Sequence, residues 1–160
     1  MLDLLPSALD HGRSGGVYPL RRGEPGKWFH LAYCAVDGTE EDRENWRAIL
    51  SGARANDVRL AVLSNEPEGP GADRVREDAR GYGIEHVVLS GVTGIEKPEA
   101  EAFLEAARRL ELEPRECVMV DDSIENILGA VRVGMIGVFY QVFDRAAVEI
   151  RGLLGLDEVA

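Results

Sequence analysis

The chain has 160 residues, enough for one domain with a real core and too few for two comfortable ones. Lys and Arg total 18 against 29 Asp and Glu, a formal net charge of −11, which argues against nucleic acid or an anionic membrane surface as partner, because both need a basic footprint. No apolar run approaches membrane-spanning length, residues 1–9 lack the basic start and long apolar core of a signal peptide, and Cys34 and Cys117 sit in apolar runs like small buried hydrophobes, so a reducing, cytoplasmic setting is the expectation.

Residues 1–27 carry Pro6, Gly12, Gly15, Gly16, Pro19, Gly23, Pro25 and Gly26, too much punctuation for a long element. They read as an irregular N-terminal segment ahead of a single domain over residues 28–160. Residues 28–36 turn aromatic and apolar, which suits a buried strand, with a helix still open. Asp37-Gly38-Thr39 reads as a turn, and Thr39 is placed to cap the helix that follows. Trp46, Ile49, Leu50 and Ala53 form that helix's apolar face, and Asn56-Asp57 ends it.

A short apolar strand over 58–63 ends in Ser64-Asn65. A Pro/Gly-rich loop over 66–71 leads into a helix with Val75, Ala79 and Tyr82 on one side. Residues 84–89 are a third strand and 90–96 a loop. Lys97-Pro98 opens a helix with Pro at its first position and Ala100, Phe103, Leu104 and Ala107 at helical spacing. Residues 117–120 are apolar throughout, as in a parallel strand covered on both faces, and end in Asp121-Asp122. Ile124, Ile127, Leu128 and Val131 then recur at helical spacing as the face of an amphipathic helix. A strand over 135–140 and a helix over 144–154 close the chain. Strands and helices alternating at short intervals are the signature of a parallel sheet with helices on both faces.

Three polar signals fall at equivalent places, past the carboxyl ends of strands or at the start of a helix: Ser64-Asn65, Lys97 and Asp121-Asp122. Open α/β sheets place their ligands there. Two adjacent carboxylates are costly unless a cation or a set of donors meets them, and a hard, oxygen-loving ion such as Mg2+ is the natural candidate. Ser64 and nearby backbone N–H groups suit phosphoryl oxygens, and Lys97 suits charge developing on them. Each signal has a plainer reading. Asp121-Asp122-Ser123 can be a helix cap, Lys97 a solvated lysine, Ser64 a strand-end turn residue, and Asp37 before Gly-Thr an ordinary turn. His11, His30 and His86 show no ligand spacing. Trp28, Phe29, Tyr33 and Trp46 read as core or interface.

Taken in order, these residues resemble the haloacid dehalogenase (HAD) superfamily of phosphohydrolases. Leu63-Ser64-Asn65 looks like the family's second motif, Glu96-Lys97-Pro98-Glu99 its third, and Val120-Asp121-Asp122-Ser123 with Asn126 its fourth. The resemblance covers about residues 41–154. It implies a HAD-like, Rossmann-type three-layer α/β domain with a mainly parallel central sheet, the cap absent or vestigial. It further implies an Mg2+-dependent phosphohydrolase acting on a small phosphorylated molecule, with Asp121 and Asp122 at the metal, Ser64, Asn65 and Lys97 at the substrate, and Ser64 and Lys97 in the catalytic set. If the cap is gone, a second copy of the chain is a fitting cover for the surface it leaves.

The first motif departs from the family, whose members need an Asp nucleophile at the end of the central strand, usually with a second Asp two residues on. Cys34-Ala35-Val36-Asp37-Gly38-Thr39 has the right tail: Asp37 would be the general acid/base, and Ala35, which has no oxygen, would stand at the nucleophile position. A competing register through Arg13-Ser14-Gly15-Gly16-Val17 would put Arg13 there, and Asp10 fits neither pattern. The first register is preferred, because the sheet needs a strand between those carrying Ser64 and Asp122, and residues 28–36 fill it best by composition. Two functions follow: a phosphohydrolase with an unrecognised nucleophile or direct attack by water, or a degenerate relative that binds a phosphorylated ligand or a protein partner without turnover.

Overall fold

Five short apolar runs become strands: β1 (Trp28–Leu31), β2 (Arg59–Ser64), β3 (His86–Leu89), β4 (Cys117–Asp121) and β5 (Ile136–Phe139). The structure, a computed structural model, describes residues 28–31 and 40–156. All pairings are parallel, in the order β3-β2-β1-β4-β5. The described part of the expected first strand therefore lies where the sequence argument put it, between the strands that carry Ser64 and Asp121. From β1 the chain winds outward to β2 and β3, then returns to β4 and β5 on the other side. That reversal leaves a crevice at the carboxyl ends of β1 and β4, the kind of place where open α/β sheets take ligands.

Alternation along the strands feeds two cores. Leu60, Val62, Val118 and Val120 face one side, where they meet α1 (Glu40–Ala55), α2 (Pro70–Gly81) and α6 (Phe143–Leu154) through Trp46, Leu50, Val75 and Ile150. Ala61, Leu63, Cys117 and Met119 face the other, against α4 (Ala100–Arg109) and α5 (Ile124–Arg132) through Phe103, Ala106, Ile127 and Ala130. With helices on both faces, backbone groups are satisfied inside the sheet and apolar side chains are covered on each side. The three-layer α/β reading holds.

Local details differ from the sequence reading in five places. Residues 90–96 are not wholly a loop, because Ser90–Thr93 forms a helical turn, α3. Helix α2 starts at Pro70, inside the expected loop, using Pro where the missing N–H costs nothing. Pro98 does not open α4: the Lys97-Pro98 peptide is cis, and the helix begins at Ala100 behind Glu99. The buried stripe of α4 is Ala102, Phe103, Ala106 and Ala107, with Ala100 exposed and Leu104 half-buried. In α5 the expected apolar face is split. Ile127 is buried with Gly129 and Ala130, whereas Ile124, Leu128 and Val131 are about half exposed, at 51%, 48% and 50%. Asn56-Asp57 does end α1, with the Asn56 amide donating to the Gly52 carbonyl at 2.9 Å and Asp57 in the left-handed region at φ 59°.

Candidate functional site

Asp121 is the last residue of β4 and is 1% exposed. A carboxylate so buried is tolerable only if donors meet it. Three do. Its Oδ2 accepts from Lys97 Nζ at 2.7 Å and from Asn126 Nδ2 at 3.1 Å, and its Oδ1 accepts from the Ser123 backbone N–H at 2.8 Å. Ser123 in turn caps α5, its hydroxyl accepting from the Asn126 N–H at 3.4 Å. The helix-cap reading and the site reading are therefore both true: the turn that starts α5 also saturates Asp121.

Lys97 is held from the other side of the sheet. Asn65, directly after β2, clasps its backbone: Asn65 Nδ2 donates to the Lys97 carbonyl and the Lys97 N–H donates to Asn65 Oδ1, each at 2.8 Å. The end of β2 thus fixes the main chain of Lys97 and the end of β4 fixes its ammonium, with β1 lying between those two strands. Gly129 lets α5 close on this segment, since a Cβ there would fall 2.7 Å from the Pro98 carbonyl oxygen. Lys97 is neither solvated nor a helix-start residue; it is a buried ammonium on a two-sided mount, 9% exposed.

Ser64, the last residue of β2, is buried, and its hydroxyl makes no hydrogen bond among the described residues. A buried hydroxyl with no partner is rare enough to mark a place where a ligand or water supplies one. Ser90 has the same character one strand further out, where β3 ends opposite Ser64. Sequence reasoning placed it in a loop and gave it no role; only the parallel register of β2 and β3 brings it to this edge.

The two adjacent aspartates do different things. Asp121 is buried and consumed by its three donors, whereas Asp122 is exposed and has no hydrogen bond or ion pair among the described residues. Among the described residues no group of three or more His, Cys, Asp and Glu could hold a metal ion. The donor chemistry nevertheless suits Mg2+, which keeps several waters and takes only one or two carboxylates beside substrate phosphate oxygens. Asp122 is the carboxylate open for that, and the Asn65 amide is already engaged by Lys97. Asp37, Ala35, Arg13 and Asp10 lie outside the described residues, as do Cys34 and the side chain that would face Asp122 from the central strand.

A family model for haloacid dehalogenase-like hydrolases matches residues 14–134. The chain belongs to that family. An uncharacterized Corynebacterium glutamicum protein of known structure is 47% identical with a TM-score of 0.78, over 84% of this chain and 99% of that one. The sesquiterpene phosphatase astK of Aspergillus oryzae is 23% identical over 83% of this chain and 68% of its own length. A HAD-family enzyme of Bacteroides thetaiotaomicron, solved in complex with magnesium and inorganic phosphate, shares the fold at 21% identity and a TM-score of 0.53, over 61% of this chain and 52% of that one. The chain spans only 25% to 50% of the length of the other curated relatives it matches, among them glyceraldehyde 3-phosphate phosphatases of several archaea. No helix among the described residues is long and apolar enough to cross a membrane.

Proposed function

We propose that this HAD-family domain is an Mg2+-dependent phosphohydrolase scaffold that takes a small phosphorylated molecule at the carboxyl edge of its sheet. The observation that carries the reading is the division of labour between Asp121, spent on holding Lys97, and Asp122, left open beside it. In this reading the Ser64 hydroxyl donates to a phosphoryl oxygen. Lys97, aimed by Asp121 and clasped by Asn65, places a fixed positive charge where phosphoryl charge grows. Asp122 is the open carboxylate for the metal, and Asp37 is the general acid/base. Bound Mg2+ would offset the charge on the phosphoryl oxygens. The B. thetaiotaomicron enzyme, solved with magnesium and inorganic phosphate, supports that pairing of ligands on this scaffold.

A second reading, binding without turnover, is favoured by one residue. In the preferred register Ala35 stands at the family's nucleophile position, and a methyl group cannot form a phosphoryl-enzyme. Hydrolysis then requires another Asp or direct attack by water. Release of p-nitrophenol from its phosphate ester, with and without Mg2+, separates the readings when compared with Asp122→Asn. Mg2+-dependent turnover that falls by about 10²-fold or more in the variant, the scale of a lost electrostatic group, supports the hydrolase. Absent turnover, with Mg2+-dependent thermal stabilisation by inorganic phosphate that the variant lacks, selects the binding protein. Neither response in the wild type overturns both.

A further inference from the structure

In a parallel α/β sheet the connecting helices run back against the strands, so their carboxyl ends gather at the sheet's amino edge. There α1 ends with Arg54, α2 with Arg80 and α4 with Arg108 and Arg109. Each arginine offsets the negative end of its helix. Beside β3 they also share a space. A cavity of about 640 Å3 is lined by Arg54, Arg76, Arg80 and Arg109 with Glu85 and His86. A smaller one of about 290 Å3 shares Arg54, Glu85 and His86 and adds Arg59. Five of the sixteen arginines in a chain of net charge −11 thus line these two neighbouring cavities, with Glu85 the one lining carboxylate among the described residues.

Three of the five have partners. Arg76 pairs with Glu68 at 2.6 Å and Asp73 at 3.2 Å, Arg109 with Glu105 at 2.8 Å, and Arg59 lies 3.5 Å from Glu111. Arg54 and Arg80 have no ion pair or side-chain hydrogen bond among the described residues. The Arg54 guanidinium lies against Gly83, in space that a Cβ would fill. The opening is far along the sheet from the candidate phosphate site: Arg59 begins β2 and Ser64 ends it.

We propose that this cleft is a second anion site, independent of the carboxyl-edge site, that binds a small molecule carrying two or more linked phosphates. Planar guanidinium forks match phosphate oxygens two at a time, and two unpaired forks flanked by two partly paired ones exceed what a single phosphate needs. The volume is that of a small-molecule pocket rather than of one oxyanion. Ile84 and Val87 in the lining give the rest of such a ligand an apolar surface.

The probe is inorganic tripolyphosphate, titrated calorimetrically into the whole chain with a chelator present so that no divalent ion reaches Asp122. The wild type is compared with Arg54→Ala/Arg80→Ala, with Arg74→Ala/Arg151→Ala, which removes the same charge elsewhere on the surface, and with Ser64→Ala. Saturable binding weakened at least about tenfold in the first variant alone is the expected result, since that variant removes both unpaired guanidiniums at once. Equal loss in the charge-matched control, dependence on Ser64, or no saturable binding by the wild type would each overturn the proposal. Arg54 and Arg80 are exposed, so circular dichroism should show an unchanged fold in the variant that tests them.

Discussion

Lysine is scarce in this chain: Lys27 and Lys97 are its only two, against sixteen arginines. Position 97 is where the difference counts, because a compact ammonium meets buried Asp121 as a point charge, whereas a guanidinium is a planar fork of five donors. The pair is almost wholly buried, with side-chain exposures of 7% and 2%. Removing one member strands a buried charge, at about 3–5 kcal/mol, whereas replacing both with apolar groups is often near neutral. Lys97→Met is therefore expected to lose stability on that scale in urea, and Lys97→Met/Asp121→Asn, which removes both charges and keeps an acceptor for the Ser123 N–H, to regain most of it. A double variant no more stable than the single one would mean the two charges are not coupled. Cys117 gives a second residue-level prediction. Burial pushes its thiol up to about 12 from an ordinary 9.0, with the nearby charge of Glu116 adding to the effect. The folded state thus prefers the protonated thiol, so this contribution to stability is complete below pH 9 and is lost as the pH rises toward 12. Unfolding free energy measured across that window should fall in the wild type and fall less in Cys117→Ala. In a Cys34→Ser background, Cys117 should also resist iodoacetamide at pH 8 until the protein is unfolded.

At the scale of elements, α5 shows why some of this fold was legible and some was not. Its spacing correctly announced a helix, but the large residues Ile124, Leu128 and Val131 are not the ones it buries most deeply. Gly129 and Ala130 pack innermost, because α5 lies against the Lys97-Pro98 segment and β5, and close backbone approach selects small side chains. Periodicity finds a helix face; which face turns inward depends on neighbours a linear pattern does not contain. The strands were easier, since burial on both sides demands continuous apolar runs. The site divides the same way. Ser64 and Asp121 could be placed at one edge from strand ends, and Lys97 only from a helix start that the structure moves to Ala100; the Asn65 clasp joins segments 32 residues apart, and a polar residue after a strand looks equally like a ligand contact. The closeness of α5 to the Lys97-Pro98 segment is testable. The Cβ of Gly129→Ala would also fall 2.8 Å from the Phe103 ring, so segment 97–98 or the helix must shift, at about 1–3 kcal/mol. Gly81→Ala, whose Cβ meets nothing within 4 Å, is the control and should be neutral or slightly stabilising. On the proposed function, thermal shifts with Mg2+ and phosphate should be as large in the Gly81 variant as in the wild type, and smaller in the Gly129 variant. Equal ligand responses would mean that α5 does not set the position of Lys97.

For the whole molecule, the governing fact is that both cores are built on the same strands. Leu60 and Val62 feed one layer, and Ala61 and Leu63, interleaved with them, feed the other. Neither layer can lose its packing without stripping the sheet the other depends on, so the domain should unfold as one unit despite its two separate clusters. Trp46 and Phe103 make this measurable. Trp46 sits in the first core, edge-on to Phe143 at 5.3 Å between ring centres, and Phe103 is fully buried in the second. Phe103→Ala removes a ring from the second layer at about 3–5 kcal/mol. In a Trp28→Phe background, Trp46 alone reports fluorescence, and it reports from the side of the sheet that the substitution does not touch. If the layers are coupled through the strands, the Trp46 transition in urea shifts by the full amount and coincides with the loss of far-ultraviolet dichroism. A Trp46 midpoint left where it was, with dichroism lost in two steps, would show instead that each helical layer leaves the sheet on its own.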